Sequence, residues 1–400
     1  MCIWQRSFTL AYMSANLVFQ APILVTLPLK VNSLVGIKQA PGSLALVASI
    51  GAFVAIFGNP FFGRMSNCTS SRLGMRRPWM VTGVVGGTLG VAIVSFAPNI
   101  PVVLLGWCIA QLFFNAMLAS LAAVLPDQVP ASQRGTVSGV LGVCLPIAAV
   151  SGTYIVKLFT GHQVATFLVP CATGGFFILL FAGVLKDRHL AKGDRPVWSM
   201  REFATTFYVK PRTSPDFAWA FVSRFMFLMA YALLTTYEAC YLLQKIGSAV
   251  ADVPQQIFLG TVVQGIVIVA ASLIGGHLSD RTGRRKIFVC TAAIVYGLAM
   301  FALAMASNFN GFLVGMAISG LGFGVFAAVD LALVVDVLPN PGHNAKDLGV
   351  FNIAGALPFS LAPALAPAIL AIGGGSYGVL YAVAGVCAIV GAILRVKGVR

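Results

Sequence analysis

Two sets of side chains in this 400-residue chain repeat at helical spacing and carry hydrogen-bonding chemistry. Tyr12, Asn16 and Gln20 are four residues apart, as are Trp107, Gln111 and Asn115. On a helix each set lines one face, an aromatic ring beside two carboxamides. Amides donate and accept, which suits sugar hydroxyls, and a ring offers a flat platform to a pyranose. The same groups can instead bond one helix to another, with Trp107 as an interfacial anchor. The residues alone leave both readings open. Asn59, Gln264 and Asn352 are isolated and weaker candidates.

Ionisable groups within apolar stretches are few, and each is a functional candidate by default. Glu238 lies in Tyr237-Glu238-Ala239-Cys240-Tyr241, with Thr235 and Tyr231 on roughly the same helix face. A carboxyl there can take a proton from one side and release it to the other. Asp330 sits deeper in another apolar run and should face a protein interior. Both are read as candidates for proton or cation coupling, against a structural ion pair or interhelical contact. Arg6 and Arg224 open corresponding stretches near an interface, where snorkelling accounts for them.

The elements that hold these residues follow from composition. Hydrophobic residues make up 58% and charged residues 9%, against about 25% charged in a soluble domain. Such a chain covers itself against lipid. Twelve apolar stretches are long enough to cross a bilayer as helices: 7–29, 43–62, 79–97, 102–125, 135–158 and 164–185, then 218–243, 255–278, 287–306, 311–338, 348–372 and 376–395. No signal-peptide pattern precedes the first, which is read as retained. The eight cysteines are scattered without metal or redox spacing and read as apolar filler.

The formal net charge is +15, but its distribution does not suggest nucleic acid. Arg64, Arg72, Arg76 and Arg77 lie in one loop, the bases of 186–217 in another, and Arg281, Arg284, Arg285 and Lys286 in a third. Intervening loops hold few bases. This is the positive-inside asymmetry, which places the basic loops and both termini in the cytoplasm. The expected location is a bacterial plasma membrane.

The chain also repeats itself. Gly63 and Gly276 each open a basic loop, and the interval between them is also the interval from Leu125-Pro126 to Leu338-Pro339. Two related halves follow: 1–185 and 218–400, joined by a cytoplasmic linker at 186–217 with a short interfacial helix around Trp198–Tyr208. Duplication of this kind is common among transporters.

The twelve spans, duplicated halves and the loop Gly276-His277-Leu278-Ser279-Asp280-Arg281-Thr282-Gly283-Arg284-Arg285-Lys286 together resemble the major facilitator superfamily. The first-half loop departs from the pattern. Asn67 replaces the acid and four extra residues precede Gly74. That longer form, with Ser71, Gly74 and Arg76-Arg77-Pro78, looks like the glycoside and sucrose symporter branch. The resemblance implies an all-α membrane fold of two pseudo-symmetric six-helix bundles. It implies alternating access, with spans one and four of each half lining a central cavity. Tyr231 would join the two polar stripes there. It also implies that the basic loops gate the cytoplasmic side: Asp280, Arg281 and Arg285 with Asp336 in the second half, Asp127 with Arg77 or Arg134 in the first. Because Asn67 cannot ionise, the first-half latch is expected to be the weaker.

The function expected is secondary transport of a small polar solute, a sugar or glycoside, coupled to a proton or other cation, by a monomer in the lipid bilayer without a cofactor. The runner-up is proton-coupled export of drugs or metabolites. An intramembrane enzyme is disfavoured because His162, His189, His277 and His343 lack nucleophile or metal partners at useful spacing. ATP-driven transport is disfavoured because no phosphate-binding loop occurs. A receptor that binds without transporting fits poorly with twelve spans in two equal halves.

Overall fold

Within a bilayer every backbone amide must be satisfied inside its own segment, and the apolar runs accordingly form long helices. The computed structural model describes residues 3–129, 131–187, 215–336 and 353–398. The helices are α1 (Ile3–Ala21), α2 (Leu27–Asn67), α3 (Arg77–Phe96), α4 (Ile100–Gln128), α5 (Ala131–Leu158) and α6 (Gln163–Val184) in the first half. The second half has α7 (Pro215–Tyr241), α8 (Val253–Thr282), α9 (Arg285–Met305), α10 (Phe309–Asp336), α11 (Pro358–Ile372) and α12 (Tyr377–Gly398). Among the described residues there is no strand. The interfacial helix expected near Trp198–Tyr208 lies outside the described residues.

By length and composition eleven segments can cross a membrane, and the first of them runs from Arg6 to Asn67. Those 62 residues would extend about 90 Å as one helix, three times the hydrocarbon thickness. A π-turn at Pro22–Thr26 links α1 to α2 without interrupting the helical path. Gly36 does interrupt it, with φ 76° and ψ 166°. This left-handed backbone suits glycine. The segment therefore holds two crossings, giving twelve among the described residues. The chain reverses later in sequence than the expected end of span one at residue 29. Gly247 ends the matching helix of the second half, also at φ 76°.

The chain divides into two compact units between Trp198 and Ser199. In the first, α4 packs on α2 and α3, α1 on α5 and α6, and α3 on α6. In the second, α10 packs on α8 and α9, α7 on α11 and α12, and α9 on α12. The pairings are the same six elements used twice, so duplication is visible in packing as well as in sequence. Small residues let these backbones meet. A Cβ added to Gly90 of α3 would lie 2.4 Å from the Ala110 nitrogen of α4. One added to Gly322 of α10 would lie 2.7 Å from the Tyr296 nitrogen of α9.

Candidate functional site

Glu238 lies near the end of α7, just before a π-turn at Leu242–Ile246. It is 2% exposed. Its Oε1 has no hydrogen-bond partner among the described residues. Across from it α8 carries Gly260, where an added Cβ would stand 3.6 Å from that oxygen and 2.7 Å from the Phe312 ring of α10. Tyr296 of α9 and Tyr381 of α12 are near enough for a charge on Glu238 to act on both phenols. Their hydroxyls also lack partners among the described residues. The neighbouring phenols are committed elsewhere: Tyr237 donates to the Pro363 carbonyl at 3.1 Å and Tyr241 to the Leu303 carbonyl at 2.9 Å. A bare carboxylate in such surroundings costs several kcal/mol. A proton or a bound cation removes that cost.

The second acid is placed differently. Asp330 of α10 is 1% exposed and accepts from Arg224 Nη1 of α7 at 2.6 Å. The snorkelling expected of Arg224 is thus corrected: its guanidinium turns inward onto Asp330. Gly355 leaves it room, since an added Cβ there would be 3.4 Å from Arg224 Nη2. So the two acids expected to couple differ in kind, one held by an arginine and the other in an apolar and phenolic surround.

The span-four stripe turns towards α2. Trp107, Gln111 and Asn115 are all buried. Asn115 Nδ2 donates to the Gln111 carbonyl at 2.8 Å and to Gln111 Oε1 at 3.3 Å, and Asn59 Nδ2 of α2 donates to Asn115 Oδ1 at 3.2 Å. The Trp107 ring occupies the place of a side chain on Gly51, whose added Cβ would be 2.4 Å from it. The Asn59–Asn115 bond and the Trp107–Gly51 contact join α2 to α4, whereas Asn115 and Gln111 bond to each other within α4. Gln264 of α8 likewise joins two helices in the second unit, donating to Ser319 Oγ of α10 at 2.9 Å.

The span-one stripe is less committed. Tyr12, Asn16 and Gln20 are half-buried, and Asn16 Nδ2 donates back to the Tyr12 carbonyl at 2.8 Å. Tyr231 is half-buried too. Its ring stacks on Phe323 with centroids 4.5 Å apart and meets Phe359 edge-on at 6.0 Å. Asn352 lies outside the described residues.

The two basic loops differ most. In the first unit Arg76 is 4% exposed, and its Nε meets Asp127 Oδ2 at 2.9 Å. It also donates to Ser66 Oγ. Asp187, just beyond α6, accepts from the backbone amides of Arg76 and Arg77 at 2.7 and 2.9 Å. That places a negative charge at the N-terminus of α3, where unsatisfied amides favour it. Gly74 adopts φ 102° and leaves space for that carboxylate, since an added Cβ would come within 2.3 Å of it. Arg77 donates to the Leu185 carbonyl. Arg76, Asp127, Gln128, Lys186 and Asp187 line a cleft of about 310 Å³.

Asp127 therefore does take an arginine, as expected, but Arg76 rather than Arg77. With the backbone at 76–77 pinned by Asp187, Arg76 turns in and Arg77 reaches to the end of α6. Asp187, beyond the end of α6, is the acid that meets the backbone of this loop, whose own position 67 is Asn. In the second unit Asp280 and Arg285 stand 3.7 Å apart with side chains 72% and 32% exposed. Pairs of that kind contribute little. Among the described residues, the Arg76–Asp127 pair of the first-half loop is the less exposed and the Asp280–Arg285 pair of the second the more exposed. The side chains of Arg134 and Asp336 lie outside the described residues.

Comparison with known proteins agrees with this architecture. A model of the Major Facilitator Superfamily matches residues 7–263 and 220–398. The nucleoside transporter NupG, in a mutant form, superposes with a TM-score of 0.80 over 98% of this chain and 99% of that one, at 12% identity. The human organic anion transporter MFSD10 superposes with a TM-score of 0.69 over 99% of this chain and all of that one, at 16% identity. At such identities the likeness is one of fold. Curated relatives match over shorter stretches. The multidrug transporter mfsC of Aspergillus fumigatus is 31% identical over 29% of this chain and 22% of its own length. The class E tetracycline resistance protein of Escherichia coli is 26% identical over 42% of this chain and 40% of its own. A probable 4-methylmuconolactone transporter of Cupriavidus pinatubonensis is 34% identical over 27% and 26%. The chain thus spans less than half the length of each of these relatives. With the family model matched across both halves of a duplicated twelve-crossing fold, the chain belongs to the major facilitator superfamily.

Proposed function

We propose that this protein is a secondary transporter that moves a small organic solute of the drug or metabolite class by alternating access, with a proton as coupling ion and Glu238 as the group that carries it. The observation that carries this reading is the burial of Glu238 with Oε1 unpartnered. Gaining or losing a proton changes the charge in a dry interior by one unit. A conformational state that gives the carboxylate water or a cation is then favoured on deprotonation, and solute and proton shift the balance through their different affinities for the two states. Asp330 is the lesser candidate, because Arg224 already neutralises it. Relatives named for multidrug, tetracycline and methylmuconolactone transport support the solute class, as does the commitment of the Gln111 and Asn115 amides to helix contacts. The basic loops are proposed to gate the side on which both termini lie, the cytoplasm, and the protein is proposed to act as a monomer.

A second reading, transport of a sugar or glycoside, is favoured by the half-buried Tyr12, Asn16 and Gln20 face. Counterflow into proteoliposomes against tetracyclines, aromatic lactones and disaccharides separates the two. Uptake confined to the first two classes supports the proposal, and uptake confined to disaccharides overturns its solute class. With a solute in hand, Gln20→Ala should raise the apparent KM while Gln111→Ala leaves it unchanged. An imposed pH gradient should drive accumulation by the native chain and not by Glu238→Gln. Accumulation by that variant at the native level removes Glu238 from the coupling role.

A further inference from the structure

An apolar groove of about 460 Å³ opens on the surface of the second unit between α8 and α9, with α10 behind it. Ala270, Ile274, Gly275 and Leu278 form its α8 wall, and Phe288 and Thr291 its α9 wall. Ile274 is 62% exposed and Leu278 44% exposed. Thr291 returns its hydroxyl to the Ile287 carbonyl of its own helix at 2.9 Å, so its hydroxyl is already satisfied. Along α8 the lining runs from residue 266 to residue 278, about 18 Å at 1.5 Å per residue, or roughly one leaflet of a 30 Å hydrocarbon core.

Both walls end on arginine. Three residues beyond Leu278 on α8 is Arg281, and four before Phe288 on α9 is Arg284, both exposed. The turn from 280 to 286 holds four bases against the single acid Asp280. The first unit handles the same place otherwise. At the interval that relates Gly276 to Gly63, Ala270, Ile274 and Gly275 correspond to Phe57, Phe61 and Phe62. The Phe62 ring sits 5.3 Å from Trp79 of α3 and so bridges the two helices. Arg76 there is buried on Asp127. The first half sets Phe62 against Trp79 here, whereas the second has Gly275 and leaves a channel that ends at the exposed Arg281 and Arg284.

We propose that this groove binds an anionic phospholipid of the bilayer, one acyl chain lying between α8 and α9 and the phosphate held by Arg281 and Arg284. An apolar channel one leaflet long fits an acyl chain, and a basic turn at its mouth fits a phosphodiester rather than a neutral headgroup. The lipid would bind beside the gating loop, and its occupancy would bear on how that loop moves.

The test uses the purified full-length chain with dioleoyl phosphatidylglycerol or dioleoyl phosphatidylcholine, bound lipid being counted by native mass spectrometry. The native chain should retain phosphatidylglycerol over phosphatidylcholine. Arg281→Gln with Arg284→Gln should weaken phosphatidylglycerol by about five-fold for each arginine lost, with phosphatidylcholine unchanged. Ala270→Phe with Ile274→Phe, borrowing the residues of the first half, should lower retention of both lipids. Equal retention of the two lipids by the native chain, or native retention by the phenylalanine variant, overturns the proposal. Where that variant fails to fold, the unaltered chain still decides: phosphatidylglycerol with a photoreactive acyl group should label residues 270–291 in preference to 57–83. Equal labelling of the two stretches, or displacement of the lipid by glycerol phosphate alone, overturns the acyl-chain site.

Discussion

The repeat interval that carries Gly63 onto Gly276 also carries Ala11, Val25 and Met117 onto Arg224, Glu238 and Asp330. The three residues of the first half are fully buried and uncharged. The two units share their helix pairings, yet buried charge at these positions belongs to the second alone. Size is exchanged as well. Gly51 of α2 faces Trp107 of α4. Their counterparts at that interval are Gln264 of α8 and Gly320 of α10, and a Cβ added to Gly320 would be 2.7 Å from the Gln264 carbonyl. Large meets small in both cases, with the partners reversed. What both copies keep at this contact is a glycine opposite a larger residue, so that the two helices pack closely. Which helix supplies the glycine, and whether the contact carries charge, is open to divergence.

Substitutions can break that comparison in order of expected size. Arg224→Leu removes the counter-charge of a buried aspartate and should destabilise the chain by about 3–5 kcal/mol in detergent unfolding. Adding Asp330→Leu should recover most of the loss and bring the second unit to the apolar state of the first. A loss that persists in the double variant would mean that Arg224 supports more than Asp330. Gly74→Ala meets both a positive φ and the Asp187 carboxylate, and should cost about 1–3 kcal/mol. Asp187→Ala removes the acceptor at the start of α3 and should cost about 1 kcal/mol. In the more exposed loop of the second unit, Asp280→Asn should stay within about 0.5 kcal/mol. Equal losses for Asp187→Ala and Asp280→Asn would erase the contrast between the loops.

The twelve crossings, the duplication and the burial of Glu238 were legible because each rests on the pattern of residues along the chain. A carboxylate among apolar residues stands out without any knowledge of neighbours. The partner of Asp127 was not legible. Arg76 and Arg77 are adjacent, and which one turns inward depends on Asp187, 111 residues from Arg76 and delivered by the end of another helix. The reversal at Gly36 falls within the interval left between the first two spans, but the helix runs on past residue 29, where Lys30 reads as a loop residue. Lys30 is instead buried, donating to the Ser95 carbonyl at the end of α3 at 2.9 Å. The direction of the Trp107, Gln111 and Asn115 stripe was ambiguous for a plain reason. A cavity wall and a polar helix contact present the same residue types at the same spacing, and only the glycine opposite tells them apart. Gly51 and Gly58, two turns apart on α2, were the available signal.

Glu238 is the proposed site where proton and solute movement are joined. The direct measurement is proton flux in proteoliposomes during downhill solute movement, followed with an internal pH indicator. The native chain should move protons with the solute, and Glu238→Gln should move solute with no accompanying pH change. Proton movement at the native ratio in the variant would contradict the account.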